Sequence, residues 1–147
     1  MHIILAHIDN LNELVPLFEG YRKFYRQDPN PDGAQRFLKD RIELKESVIF
    51  MAMVNEKAIG FTQLYPIFSS VSMEPMYLLN DLYVESGHRG KGIGQALINE
   101  AKDLCIAKRY KGLALQTEFT NPAQHLYEYL DFKKDPDLYY FWTNTER

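Results

Sequence analysis

Apolar positions change their spacing several times along the 147 residues, and each change predicts an element. His2 to His7 is short, apolar and fits a strand. Asp9 or Asn10 then offers a helix cap, followed by Leu11, Leu14, Val15, Phe18, Tyr21 and Tyr25 at helical spacing. Two prolines and a glycine within Asp28–Gly33 predict the end of that helix. A second helix is expected from about Ala34 to Lys45, burying Phe37, Leu38, Ile42 and, at its end, Leu44.

A β region follows. Val48 to Val54 and Ala58 to Tyr65 predict two strands joined by a turn at Asn55-Glu56-Lys57, with Pro66 ending the second. Ile67 to Pro75 fits either a loop or a weak strand. Met76 to Val84 predicts a strand with Leu79, Asp81 and Tyr83 on one face and Asn80, Leu82 and Val84 on the other. After a loop at Glu85–Gly90, an amphipathic helix runs from Gly92 to about Arg109, its stripe formed by Ile93, Leu97, Ile98, Ala101, Leu104 and Cys105. Gly112–Glu118 predicts a strand, Pro122–Leu130 a helix, and Phe132–Lys134 with Leu138–Thr143 a terminal strand pair. This order predicts an α/β fold on a mixed sheet, with residues 1–147 in a single domain.

Composition narrows the class of protein. With 46% hydrophobic and 25% charged residues, the chain is neither disordered, collagenous nor a coiled coil. The longest apolar run, Val48–Val54, is far short of the roughly 18 residues of a membrane span. The N-terminal stretch lacks a basic flank and is interrupted by His7 and Asp9, so it does not read as a signal peptide. A lone Cys105 excludes an internal disulfide and a multi-cysteine metal site, and it suits a reducing compartment. His2, His7, His88 and His125 lack metal-ligand spacing, so no metal is expected. Residues 1–74 carry 8 basic and 10 acidic side chains and residues 75–147 carry 9 and 10, so neither half offers the cationic face that nucleic acid needs. The expectation is a soluble, cytoplasmic protein whose partner is a small molecule, not nucleic acid or membrane.

Chemistry enters at Arg89-Gly90-Lys91-Gly92-Ile93-Gly94-Gln95, which leaves a predicted strand and opens a helix. The first turn of a helix has N–H groups without intrahelical partners and carries partial positive charge, so it attracts anions. Alternate glycines let the backbone bend and let phosphate oxygens approach, while Arg89 and Lys91 add full charges. A P-loop would need Ser or Thr after Gly-Lys, and the dinucleotide fingerprint would need glycine at position 95; Gly92 and Gln95 stand there instead. The loop reads either as a phosphate or pyrophosphate cradle or as a tight glycine-rich turn.

Arg89-Gly90-Lys91-Gly92-Ile93-Gly94 resembles the Arg/Gln-x-x-Gly-x-Gly/Ala motif of the GCN5-related N-acetyltransferases (GNAT). The preceding Leu79-Asn80-Asp81-Leu82-Tyr83-Val84 and the later Ala123-Gln124-His125-Leu126-Tyr127-Glu128 sit where that family has its flanking motifs. The resemblance is close over residues 77–132, extends more loosely to the whole chain, and is nearest to small-molecule amine acetyltransferases, including spermidine/spermine acetyltransferase. It implies an acyl-CoA N-acyltransferase fold with a splayed central sheet flanked by helices, and transfer of acetyl from acetyl-CoA to a primary amine in a ternary complex. In such a protein the pyrophosphate lies on the N–H groups of Gly90, Lys91, Gly92, Ile93, Gly94 and Gln95, with Arg89 beside them. Leu82, Tyr83 and Val84 offer main-chain contacts to the pantetheine arm between the splayed strands.

Transfer requires an uncharged amine, a stabilised oxyanion and a protonated leaving thiolate. An alkylamine with a pKa near about 10.4 needs a base near neutral pH, and a phenol beside the sulfur can return a proton to the thiolate. Tyr127 matches the family tyrosine given the acid role. Asp81 is the nominal base, with Glu118 close behind. Related enzymes place an acid at the position of Asn80, and this chain departs there. The family also has Asn seven residues before the tyrosine, whereas Asn121 precedes Tyr127 by six, which leaves either Thr120 or Asn121 as the cap and bears on a cofactor contact from Asn121. Where the family favours Leu-Gly-Phe, Leu130-Asp131-Phe132 stands, which puts Asp131 at a position suited to left-handed backbone. Tyr21, Phe24 and Tyr25, or Tyr65, Pro66 and Phe68, fit an acceptor pocket as well as core packing. Three readings therefore stay open: a small-amine acetyltransferase, a protein lysine or N-terminal acetyltransferase, and a non-catalytic acyl-CoA sensor. The resemblance and the apolar segment around Phe141 and Trp142 also admit a homodimer.

Overall fold

Five strands hydrogen-bond in chain order to make one sheet: β1 (His2–Leu5), β2 (Val48–Val54), β3 (Lys57–Ser69), β4 (Glu74–Val84) and β5 (Leu113–Ala114). Neighbours run antiparallel except β4 and β5, which are parallel. The computed structural model describes all 147 residues as two compact units, Met1–Gln116 and Thr117–Arg147. The first unit holds the sheet with helices α1 (Leu11–Phe24), α2 (Pro31–Glu43) and α3 (Ile93–Lys108).

Side-chain alternation explains the layering. Leu14, Leu17 and Phe18 of α1 and Leu38 of α2 pack with Ile49, Met51 and Met53 of β2 and Phe61 of β3. Phe50 and Ala52, the intervening residues of β2, are buried too, and α3 packs against β2, β3 and β4. A strand covered on both faces reads as a continuous apolar run, which is why Val48–Val54 shows no alternation.

Several boundaries differ from expectation for local reasons. The proline-rich segment that ends α1 also begins α2: Pro31 occupies the first turn, where a missing N–H costs nothing, and Asn30 Oδ1 accepts from Gly33 N at 3.0 Å. Phe37 and Leu44 are not core residues, being 40% and 64% exposed; Phe37 stacks on Phe18 and lies under the Arg41 guanidinium. Asn55 and Glu56 both have positive φ, the geometry of a two-residue hairpin turn. β3 does not stop at Pro66 but runs to Ser69, pairing with β4 through Ser69↔Glu74. Pairing of β2 with β3 ends at Leu64, so Pro66 lies where β3 is an edge, and an edge tolerates a residue without an N–H. Most of Ile67–Pro75 is thus strand joined by a turn.

The expected strand Gly112–Glu118 is only Leu113–Ala114, because its partner β4 offers pairing at Tyr77 and Leu78 alone. In the second unit, α4 is Gln124–Tyr129, shorter than expected at both ends. Asp131 adopts φ 69° just beyond it, and Phe132 N donates to Tyr127 O at 3.0 Å, closing the helix as a left-handed cap does. The expected terminal strand pair is absent: Phe132–Lys134 and Leu138–Thr143 form no ladder, and Asp135-Pro136-Asp137 between them makes a local turn in which Asp137 N donates to Asp135 Oδ1.

Candidate functional site

Asn80 is the residue at which β4 changes its pairing. Gln63 lies opposite Asp81 and Leu64 opposite Leu79, so Asn80 is the extra residue of a β-bulge. On the opposite edge, pairing with β5 stops at Leu78. From Leu79 to Val84 the strand therefore has no strand neighbour on that edge, and half-buried Leu82, Tyr83 and Val84 lie along the opening. The bulged carbonyl is held from α1, where Tyr21 Oη donates to Asn80 O at 3.0 Å.

Asp81 is 1% exposed, an unusual place for a carboxyl. Gln63 Nε2 donates to its Oδ2 at 2.7 Å and Asn80 Nδ2 to its Oδ1 at 2.7 Å, while its main-chain oxygen accepts from Thr62 Oγ1 at 2.8 Å. Burial pushes the carboxyl up to about 6, although both amides favour the charged form. Two acceptor lone pairs remain beyond these bonds. Tyr65 is close enough to respond: burial, and then the Asp81 charge, raise its phenol above the ordinary value, with Arg41 acting in the opposite sense. A neutral phenol thus stands near a carboxyl that titrates close to physiological pH.

The glycine loop follows β4 directly. Gly90 and Gly92 take φ 74° and 80°, in the left-handed region that favours glycine, and a Cβ at either position would meet nothing within 4 Å. Their requirement is conformational, and the space above them is open. The α3 ladder begins with Ala96 N donating to Gly92 O, which leaves the N–H groups of Ile93, Gly94 and Gln95 without intrahelical acceptors. Lys91 is exposed beside them. Arg89 also ties the loop to the end of β4, because its Nε donates to Val84 O at 2.7 Å and its guanidinium carbon lies 5.5 Å from the centre of the Tyr83 ring.

In the second unit, Tyr127 is half-buried on α4 with its ring 6.0 Å from that of Phe132. Asn121 Oδ1 accepts from Ala123 N at 2.9 Å in the turn before α4, whose N-cap is Ala123 without a side-chain cap, so neither Thr120 nor Asn121 caps the helix itself. Glu118 is exposed and lies outside any strand, contrary to the strand placement that made it a candidate base. Gln63 escaped the sequence reading; the signal was a lone long polar side chain amid the apolar run Ala58–Tyr65.

A parallel strand pair that opens beside a glycine-lined helix start belongs to the acyl-CoA N-acyltransferase architecture. The profile of the acetyltransferase (GNAT) family matches residues 14–132, and the chain belongs to that family and is an acetyltransferase. It is 46% identical over 145 residues to the "uncharacterized N-acetyltransferase YhfO" of Bacillus subtilis (strain 168), covering 98% of this chain and 97% of that protein. It is 36% identical to a "probable acetyltransferase" of Haemophilus influenzae (strain ATCC 51907 / DSM 11121 / KW20 / Rd), covering 92% of each chain. A crystal structure of a probable acetyltransferase superposes with a TM-score of 0.91 at 33% identity, covering 100% of this chain and 99% of the other.

Proposed function

We propose that this acetyltransferase moves acetyl from acetyl-CoA to a primary amine of a small molecule by direct attack, without an enzyme-bound acetyl. The observation that carries the reading is the opening of β4 at the Asn80 bulge, with the buried Asp81 at its root and the glycine loop at its end. Acetyl-CoA supplies an activated acetyl group when bound. The N–H groups from Gly90 to Gln95, with Lys91, hold its phosphates at the start of α3. The free edge at Leu82–Val84 aligns its arm by main-chain hydrogen bonds.

Asp81 accepts the proton that the amine must lose. Its carboxyl, raised to about 6, is ionised near neutral pH yet basic enough to take a proton there. Tyr127 returns a proton to the departing thiolate, a role supported by its place in the family motif. A compact amine suits a carboxylate set among Tyr21, Tyr65 and Asn80 better than a peptide does, since the carboxyl itself is out of reach of bulky groups.

Thermal unfolding with and without acetyl-CoA tests the cofactor half of this reading. Ligand at about 100 times its Kd stabilises the native state by about 2.7 kcal/mol and raises Tm by a few degrees. An unchanged Tm at millimolar acetyl-CoA would remove it.

A further inference from the structure

Gln63 is fully buried at the centre of β3, two residues beyond Phe61 and on the face covered by α1 and α2. Long amide side chains are rarely placed so, and this one is only half satisfied. Its Nε2 donates to Asp81 Oδ2 at 2.7 Å, whereas its Oε1 is buried and accepts nothing. A leucine or methionine would fill the same volume without stranding an acceptor. Nor is Gln63 the sole amide donor to the carboxyl, because Asn80 Nδ2 already donates to Oδ1. The orphan oxygen needs a reason of its own.

A carboxamide has a donor end and an acceptor end of nearly equal size, and turning its last torsion exchanges them without a change in volume. A carboxylate needs a donor opposite it. A protonated carboxyl presents an O–H and needs an acceptor. We propose that Gln63 is a positioning residue of the transfer site, whose carboxamide turns to follow the proton on Asp81: Nε2 faces the carboxylate and Oε1 faces the acid. This rests on the reading of Asp81 as the proton acceptor, since a base gains and loses its proton in every cycle. Without the turn, a proton placed on Oδ2 toward Gln63 would confront an N–H, donor against donor. With it, the carboxylate meets a donor and a proton on Oδ2 meets an acceptor, at a carboxyl that is itself buried.

The surroundings leave this role to Gln63. From β3, Tyr65 faces the Asp81 charge, which together with burial raises its phenol. From β4, Asn80 approaches the other carboxyl oxygen. From α1, Tyr21 donates its hydroxyl proton to the Asn80 carbonyl. From α2, Arg41 is felt at Tyr65 and is itself engaged by Glu46 at 3.0 Å. The proton affinity of Asp81 is set by burial and by the two amides, with no cation in direct contact.

The test is a side-chain NMR titration of the full chain carrying 13C-labelled aspartate carboxyls and 15N-labelled glutamine, for wild type and Gln63→Met. In the wild type, the NOEs between the Gln63 Nε protons and the Asp81 Hβ protons are expected at alkaline pH. They fade as Asp81 takes up its proton, with the same midpoint as its 13C signal. In Gln63→Met the Asp81 midpoint rises by about one pH unit, because donation to a carboxylate is stronger than acceptance from an acid. NOEs that persist in the protonated protein, or an unmoved midpoint in Gln63→Met, would overturn the proposal. The acidic limb of kcat/KM, followed with acetyl-CoA and an amine that supports CoA release, should move with the NMR midpoint. A midpoint that shifts while the limb stays fixed would instead overturn Asp81 as the proton acceptor, leaving Gln63 coupled to a structural acid.

Discussion

Tyr83 of β4 rests on Gly20 of α1 so closely that a Cβ at Gly20 would stand 2.5 Å from Tyr83 Oη and 2.6 Å from its Cζ. The same ring lies beneath the Arg89 guanidinium, and Arg89 holds the Val84 carbonyl. α1 is thereby in mechanical contact with the glycine loop through two side chains. On an exposed helix face, Gly→Ala gains about 1 kcal/mol. At Gly20 the methyl must displace a ring, and overpacking of this kind costs about 1–3 kcal/mol. Gly20→Ala is expected to lose stability in urea unfolding and to weaken CoA binding by calorimetry. Gain of stability would show that Tyr83 moves aside freely.

Gly92→Ala probes the loop from within. At φ 80° an added Cβ costs about 1–2 kcal/mol from backbone conformation alone, since it meets no neighbour. The methyl would occupy the open space assigned to phosphate, so CoA affinity is expected to fall further than stability does. Equal affinity for CoA in calorimetry would place the phosphates elsewhere.

Asp81 makes a signed prediction about pH. Its folded value of about 6 lies above its ordinary 3.8, so the native state binds this proton more tightly than the unfolded chain does. The stabilising contribution is complete below about pH 4 and disappears as pH rises through about 6, a loss of up to about 3 kcal/mol. Asp81→Asn removes that slope. The variant should therefore gain stability relative to wild type between pH 4 and pH 7 while losing acetyl transfer, as measured by urea unfolding and CoA release. Parallel stability curves across that interval would contradict the assignment.

The five strands of the sheet, all four helices, though not all their ends, and the glycine loop were legible because apolar patterning and helix-start chemistry are local. Leu11–Phe24 and Val48–Val54 show this well: helical spacing placed the first, and a dense apolar, β-branched run placed the second. What failed were features set by partners. Pro66 sits inside β3 because its neighbour β2 ends at Val48, opposite Leu64, and Gly112–Glu118 shrinks to two residues because its pairing with β4 stops at Leu78, just before the Asn80 bulge. The site was read in the same measure. Asp81 and the loop carry recognisable residue types in a motif, but the bond from Gln63 joins residues 18 positions apart, which no local pattern records.

Tyr127→Phe separates acid chemistry from binding. Loss of the phenol proton should lower kcat by about 10²–10⁴, the usual span for a positioned acid, while the Kd for acetyl-CoA changes little. Unchanged turnover would end the acid role of Tyr127.

The central claim is transfer of acetyl to a small primary amine, and the most direct measurement follows free CoA released from acetyl-CoA across a panel of polyamines, amino acids, aminoglycosides and lysine-containing peptides, with mass spectrometry of the product. Amine-dependent CoA release, with one acetyl gained by a small amine, is the predicted result. Release confined to peptides would move the acceptor to protein, and release no faster than the amine-free blank across the whole panel would contradict the account in favour of an acyl-CoA sensor.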